Sequence, residues 1–325
     1  MGAQTIKPVQ RCGNNDNNEL TSHIRLSERC LPVHPQGIIC CLFYRRSLII
    51  CGCVDVIKII PIKYMKEYEM IKSSNTVGVY KLCEINDELF ASVDGGNNIH
   101  IWNVNKKNHK LIKHIECVNI NDTTNQIIKH LLMLNYNNQL LLLVHRCNTF
   151  IIIDVNMCHN VNTIYVKDDI DVICTVRNKD IVTMNCEGVV MIWEYVDNNM
   201  IKKLHVDWNA CDRCFNVKNI FKLMDNKIVL WDNNVDELIE INVDNGKVEK
   251  LIRLQDKYDD IQYIEDYVFI GRNKNGICVL NIHQTFSKSQ VKVLKNIQKC
   301  SIVVYGKRKI LLINEHEGSI LKLNY

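Results

Sequence analysis

Short apolar runs separated by tight polar turns recur along the whole chain, and they predict β-strands. The clearest copy is VGVYKLCEI, a turn at 86–87, ELFASV, a second turn at 94–96, and NIHIWNV. In the third run Ile99 and Ile101 flank His100, an alternation typical of a half-buried strand. Each copy therefore predicts three consecutive antiparallel strands joined by hairpin turns.

The unit occurs seven times, and we mark each copy by the last large apolar residue of its third run, called the anchor. The anchors are Ile60, Trp102, Ile153, Trp193, Ile241, Leu280 and Leu323. They are 42, 51, 40, 48, 39 and 43 residues apart, close to the ~40–45 residues of a four-stranded propeller blade. This spacing predicts an all-β fold, a seven-bladed β-propeller with four-stranded antiparallel blades. An irregular pair of β-sandwiches, or a ring of six or eight blades, is the alternative.

A fourth, outer strand is predicted after each anchor, in runs such as KLIKHIEC and VKVLK that mix charged and apolar residues. The seventh copy ends at Tyr325, directly after its third strand, so HIRLS at 23–27 is predicted to complete that blade. Such pairing would leave no exposed, unpaired strand at the edge of that blade. The expected organisation is a flexible tail over 1–19, which could also order on a partner, and one propeller over 20–325.

From about residue 20 onward the repeats resemble the WD-repeat (WD40-like) propeller family. The matches are Trp102 and Trp193 at the end of a third strand, and Asp-Gly or Glu-Gly turns before it, as at 94–95. No Gly-His pair opens a repeat, and Trp231-Asp232 falls on a second strand and not at an anchor. The Asp-His-Ser-Trp hydrogen-bond network of standard repeats is therefore predicted not to form, which leaves apolar packing to hold each blade.

Composition is that of a globular chain, with 47% hydrophobic and 23% charged residues, which argues against disorder and fibrous classes. The N-terminus lacks the apolar core of a secretory signal, and no run approaches the ~18–20 apolar residues of a membrane span. The 16 cysteines often lie in apolar runs, as Cys40 and Cys41 do, which indicates reduced, buried thiols. A reducing compartment, the cytoplasm or nucleus, is expected.

The residue patterns of catalysis and metal binding are missing from the sequence. There is no Gly-x-Ser-x-Gly elbow, Walker loop or Gly-x-Gly-x-x-Gly. The cluster His205, Cys211 and Cys214 has one Cys-x-x-Cys pair, whereas a structural zinc site needs a second pair at matching spacing. We therefore predict no enzyme, no cofactor and no metal; a hydrolase in the central channel is an alternative that no residue pattern supports.

The net charge of +4 hides a predicted segregation of charges. In a propeller, the first-to-second and third-to-fourth turns of each blade lie on one face, and the remaining turns lie on the other. The first face, the basic face, gathers Arg45, Arg46, Lys106, Lys107, Lys110, Lys307, Arg308 and Lys309. The opposite face, the acidic face, gathers Asp55, Asp94, Asp168, Asp169, Asp259, Asp260, Glu315 and Glu317. The alternative is that turns simply favour solvated charges.

A rigid ring with two charged faces and no catalytic motif predicts a non-catalytic scaffold, a subunit of an intracellular multiprotein assembly. In the alternative hypothesis, the basic face binds RNA or acidic lipid. Aromatic residues are only 7% of the chain and do not interleave with the basic turns, which argues against nucleic acid as the main ligand. The acidic face would suit a basic tail or peptide of a partner protein.

Overall fold

The structure is a computed structural model. It describes residues 30–32, 38–44, 47–62, 69–72, 78–104, 111–119, 127–167, 169–206, 217–224, 226–265, 267–274, 276–281, 287–292, 300–306, 309–314 and 319–324. Within these ranges all regular secondary structure is β-strand, as the apolar runs predict.

The strands follow the predicted runs closely. In chain order they are β1 (Cys30–Pro32), β2 (Cys40–Tyr44), β3 (Leu48–Gly52), β4 (Val56–Pro61), β5 (Glu69–Lys72), β6 (Val79–Glu84), β7 (Leu89–Asp94), β8 (Asn98–Val104), β9 (Leu111–Asn119), β10 (Ile128–Tyr136), β11 (Gln139–Arg146), β12 (Thr149–Asp154), β13 (His159–Tyr165), β14 (Val172–Thr175), β15 (Asp180–Met184), β16 (Val190–Val196), β17 (Asn199–Val206), β18 (Val217–Met224), β19 (Lys227–Asp232), β20 (Glu237–Asn242), β21 (Val248–Arg253), β22 (Asp260–Glu265), β23 (Val268–Asn273), β24 (Gly276–Asn281), β25 (Ser287–Lys292), β26 (Cys300–Gly306), β27 (Lys309–Asn314) and β28 (Ser319–Asn324).

These strands form seven four-stranded antiparallel sheets in the described ranges. Sheets 1 to 6 are the successive meanders β2–β5, β6–β9, β10–β13, β14–β17, β18–β21 and β22–β25. Sheet 7 has the order β1-β28-β27-β26 and so joins strands from the two ends of the chain. The first strands of consecutive sheets contact each other from β2 through β26, so the sheets follow one another in space as they do in sequence.

Sheet 7 differs from the prediction in the strand that completes it. Cys30, Leu31 and Pro32 pair with Leu321, Ile320 and Ser319. The strand that pairs with β28 in the described residues is therefore Cys30–Pro32, and the predicted strand at 23–27 lies outside those residues. Pro32 is the last residue of this short edge strand, where its missing N–H costs least.

Paired polar residues make two of the tightest hairpins. Asn137 and Asn138, with φ of 50° and 64°, join β10 to β11, and Asp197 and Asn198, with φ of 48° and 62°, join β16 to β17. Two consecutive residues of positive φ twist a two-residue loop in the sense that matches the strands, and Asn and Asp tolerate that conformation best.

Each anchor lies on the third strand of its sheet, as predicted. The six anchors whose burial is described are at most 8% exposed. Trp231 lies on the second strand β19 and is fully buried. The outer strand of the sixth repeat was predicted at 291–295 but is Ser287–Lys292, because Lys288 pairs with the anchor Leu280 after a short connection.

The core lies in the layers between neighbouring sheets. One cluster joins Leu143 and Phe150 of sheet 3 to Trp193 and Tyr195 of sheet 4, and similar clusters join sheets 1 and 2, 2 and 3, 4 and 5, and 5 and 6. Sheets 2 to 5 therefore bury both faces against their neighbours, which explains why their second and third strands are apolar on both sides.

The prediction that the Asp-His-Ser-Trp network cannot form is wrong for sheet 2. The Trp102 indole N–H donates to Ser92 Oγ at 2.7 Å, and His100 Nε2 lies 3.1 Å from Asp94 Oδ2. His100 comes from the third strand itself, directly opposite Ser92 on β7. A histidine inside the strand thus replaces the missing Gly-His.

Sheet 4 has the hydrogen bond from tryptophan to a hydroxyl group but not the Asp–His contact, so the contribution of the tryptophan bond can be tested there. Trp193 Nε1–H donates to Thr183 Oγ1 at 2.9 Å, both side chains being buried. In Thr183→Val the indole N–H loses its acceptor, so we expect the free energy of unfolding to fall by about 1–2 kcal/mol, measured by urea unfolding. Thr163→Val on the exposed outer strand β13 is the control. An equal fall in the free energy of unfolding in this variant would show that the buried Trp193–Thr183 hydrogen bond does not stabilise the protein.

Cysteines in the described part of the chain are free thiols. Cys51, Cys53 and Cys278 are buried among apolar side chains, and burial raises the pKa of Cys53 to about 12. The Cys53 thiol therefore stays protonated near neutral pH, and all three side chains pack as small hydrophobes.

Candidate functional site: two faces and a polar cleft

The basic face falls almost wholly outside the described residues. Arg45, Arg46, Lys106, Lys107, Lys110, Lys307 and Arg308 all lie there. Lys309 begins β27 and pairs through its backbone with Asn324. The clustering of these cations therefore stays a prediction.

The acidic face is described in part, and Asp168, Glu315 and Glu317 lie outside the described residues. Asp55 is exposed in the β3–β4 turn, and Asp260 is half-buried at the start of β22. Asp169 pairs with Lys129 at 2.6 Å, and Asp259 pairs with Arg272 at 3.3 Å. Cations on the same face therefore offset part of this negative charge.

Asp94 was predicted to lie on the acidic face, but the structure places its carboxylate inside sheet 2. It is fully buried and accepts hydrogen bonds from the Gly96 and Asn98 backbone N–H groups and from His100. Burial alone would raise its pKa, but hydrogen bonds from Asn98, His100 and the turn backbone outweigh burial and lower the pKa of Asp94. Asp94 organises the turn and is not available to a partner.

A polar cleft of about 610 Å³ opens between sheets 3 and 4. We call it the sheet 3–4 cleft; its lining residues are Asn135, Tyr136, Asn137, Arg177, Asn178, Lys179, Asp180, Glu194 and Lys203. The first-to-second turns of both sheets form most of it, so it lies on the same side as the basic face. The Asn135 N–H donates to the Asn178 carbonyl at 2.6 Å and ties the two turns together.

A network of ion pairs organises the charged walls of the cleft. Lys179 contacts Glu194 Oε1, and Lys203 contacts Glu194 Oε2 at 2.9 Å and Asp180 Oδ2 at 3.7 Å. Arg177 contacts Asp180 Oδ2 at 3.4 Å and also Asp244 on the next sheet. Three cations are thus held in place by carboxylates of sheets 4 and 5, on one side of the cleft.

The network keeps its groups ionised. Hydrogen bonds from Lys179 and Lys203 lower the pKa of Glu194, and the hydrogen bond to Glu194 raises the pKa of Lys179. The hydrogen bond to Asp244 raises the pKa of Arg177. Glu194, Lys179 and Arg177 therefore stay charged near neutral pH.

One carboxylate oxygen of the cleft is unsatisfied. The Asp180 side chain is only 2% exposed, and its Oδ1 has no hydrogen-bond partner among the described residues. A buried acceptor without a donor costs about 1–3 kcal/mol, so this oxygen is a locally unfavourable feature of the network.

Sequence reasoning missed this cleft. The turn RNKD at 177–180 had no predicted role, because nothing local shows that Glu194 and Lys203 converge on it. The available signal was three charges in four residues, at a turn facing the adjacent Asn137-Asn138 turn.

The described residues contain no group of three or more His, Cys, Asp or Glu placed to hold a metal ion. His205 is exposed near the end of β17, while Cys211 and Cys214 lie outside the described residues. In the same ranges no helix is long and apolar enough to cross a membrane.

No protein-family model matches the chain, and no curated protein sequence matches it. A search of solved structures finds a chain in the crystal structure of the mitotic checkpoint complex, with a TM-score of 0.69 and 9% identity over 99% of both chains. At this identity the likeness shows the fold alone. The chain is an all-β protein with a WD40-like propeller fold.

Proposed function

We propose that the chain is a non-catalytic protein-interaction scaffold built on a closed seven-bladed WD-repeat-like propeller. The seven four-stranded sheets, linked in order through their first strands, support the blade number. The pairing of β1 with β28 supports closure. The scaffold would act in an intracellular multiprotein assembly, in the cytoplasm or nucleus.

One observation carries the scaffold assignment. The sheet 3–4 cleft is a solvent-open polar site whose charges are already paired and held in place, an arrangement that suits recognition of a polar partner. The structurally similar chain belongs to a complex, which is consistent with an assembly role for this fold.

Fractionation of native extracts tests the scaffold function. We expect the chain, tagged at low expression level in its native cells, to elute in size-exclusion chromatography well above its 37.8 kDa, and chemical crosslinking to yield stable protein neighbours. Elution only as a free monomer, with no crosslinked partner, would contradict the proposal.

A further inference from the structure

We propose that the sheet 3–4 cleft binds an acidic segment of a partner protein, with a Glu or Asp carboxylate held by Lys179 and Lys203. This proposal rests on the proposed scaffold function and names the chemistry of the partner.

The cations face solvent and their counter-charges do not. The side chains of Arg177, Lys179 and Lys203 are 33%, 42% and 40% exposed, whereas those of Asp180 and Glu194 are 2% and 18% exposed. A ligand entering the cleft therefore meets ammonium and guanidinium groups first, and an anionic ligand is favoured at this entrance.

The cations are also held close together before any ligand arrives. Lys179 and Lys203 contact the two oxygens of the same Glu194 carboxylate. Arg177 and Lys203 contact the same oxygen of Asp180, which places their nitrogen atoms no more than about 7 Å apart. Because these long side chains are already ordered, binding costs less conformational entropy, and a carboxylate can accept charge-assisted bonds from two of them.

Charge favours a carboxylate over a phosphate group. The lining holds three cations and two carboxylates, and Arg177 is further engaged by Asp244. A carboxylate adds one negative charge to this nearly balanced site, whereas a phosphate ester adds about −1.5 to −2 and would leave a larger uncompensated charge.

A peptide suits the cleft better than a simple anion, because it carries backbone N–H and C=O groups beside its acidic side chains. The amides of Asn137 and Asn178 offer further donors and acceptors for the peptide backbone. The volume of about 610 Å³ is within the ~300–1,000 Å³ range of ligand sites.

Fluorescence anisotropy on the purified full chain tests the assignment. The probe is a fluorescein-labelled peptide with three consecutive Glu residues between Gly-Ser flanks. We expect saturable binding that weakens with salt, and at least about tenfold weaker binding to the Lys179→Gln/Lys203→Gln double variant. The matched control is Lys227→Gln, which removes an ion-paired cation on the same side of sheet 5; it should leave affinity within about twofold. Circular dichroism confirms that each variant is folded.

Several outcomes would overturn the assignment. Equal binding of the corresponding Gln peptide would contradict the assignment of an acidic ligand. Wild-type affinity in the folded double variant would contradict it as well. A phosphoserine version that bound about tenfold more tightly would reassign the cleft to phosphopeptides. Failure of this test is separable from failure of the scaffold function, because a chain that binds no acidic peptide but still elutes in a native assembly would lose only the cleft assignment.

Discussion

Acidification from pH 7 to pH 5 is expected to lower the free energy of unfolding by about 4 kcal/mol, through two histidines of sheet 3. His130 and His145 are opposite each other on β10 and β11, and their rings stack with centroids 5.4 Å apart. Burial lowers the pKa of each ring from 6.5 to about 4. Repulsion from His145 and from the cations Lys81 and Lys129 contributes to the lowered pKa of His130.

The sign follows from which state binds the proton. Below pH 6.5 the histidines of the unfolded chain become protonated, whereas those of the folded chain stay neutral until about pH 4. The stabilisation is therefore complete above pH 6.5 and is lost as the pH falls, by about 2 kcal/mol per ring at pH 5.

Urea unfolding at pH 7 and pH 5 measures this difference. The double variant His130→Phe/His145→Phe should lose most of the pH dependence in this window, whatever its absolute stability. Equal stability of the wild-type protein at the two pH values would show that the rings are not held neutral.

Asp94→Ala is expected to destabilise the protein by about 3 kcal/mol, because the substitution leaves the buried His100 ring and two N–H groups of the turn without an acceptor. The Asp94 carboxylate accepts from the Gly96 and Asn98 N–H groups, each at 2.9 Å, and contacts His100 Nε2 at 3.1 Å. His100 in turn packs beside Trp102, with ring centroids 5.8 Å apart. Loss of the carboxylate thus loosens both the turn and the tryptophan that anchors the blade.

The control for Asp94 is Glu187→Ala, in the corresponding turn of sheet 4, where the residue is exposed. Its effect should stay within about 0.5 kcal/mol. Thermal and urea unfolding measure the stability of both variants. If Asp94→Ala is as stable as Glu187→Ala, the hydrogen bonds of sheet 2 contribute nothing beyond apolar packing.

Much of the fold was predictable because its signals are local. Alternating apolar residues, Asx-rich turns and regular anchor spacing each depend on a few neighbouring residues, and the structure confirms all the anchors as third-strand positions. The strand that pairs with β28 was not located, because Cys30–Pro32 is too short to show alternation. The role of His100 was missed because it depends on Ser92 and Asp94 across the sheet.

The site was harder to predict than the fold. Turn charges can be assigned to a face from topology alone, but whether a carboxylate is exposed depends on its partners, as Asp94 shows. The sheet 3–4 cleft depends on contacts between residues 40 or more positions apart, such as Asn135 with Asn178, and no local pattern encodes such a pair.

The pairing of Cys30–Pro32 with Ser319–Asn324 bears on how the protein is made. Because a ribosome synthesises the chain from its N-terminus, β1 emerges long before β28, the strand with which it pairs. The preceding sheets can form as they appear, but the last one requires a contact of very long sequence separation, a slow step. During that interval the nascent chain exposes an unpaired strand, so a chaperone that shields β-strand edges would be of most use late in translation.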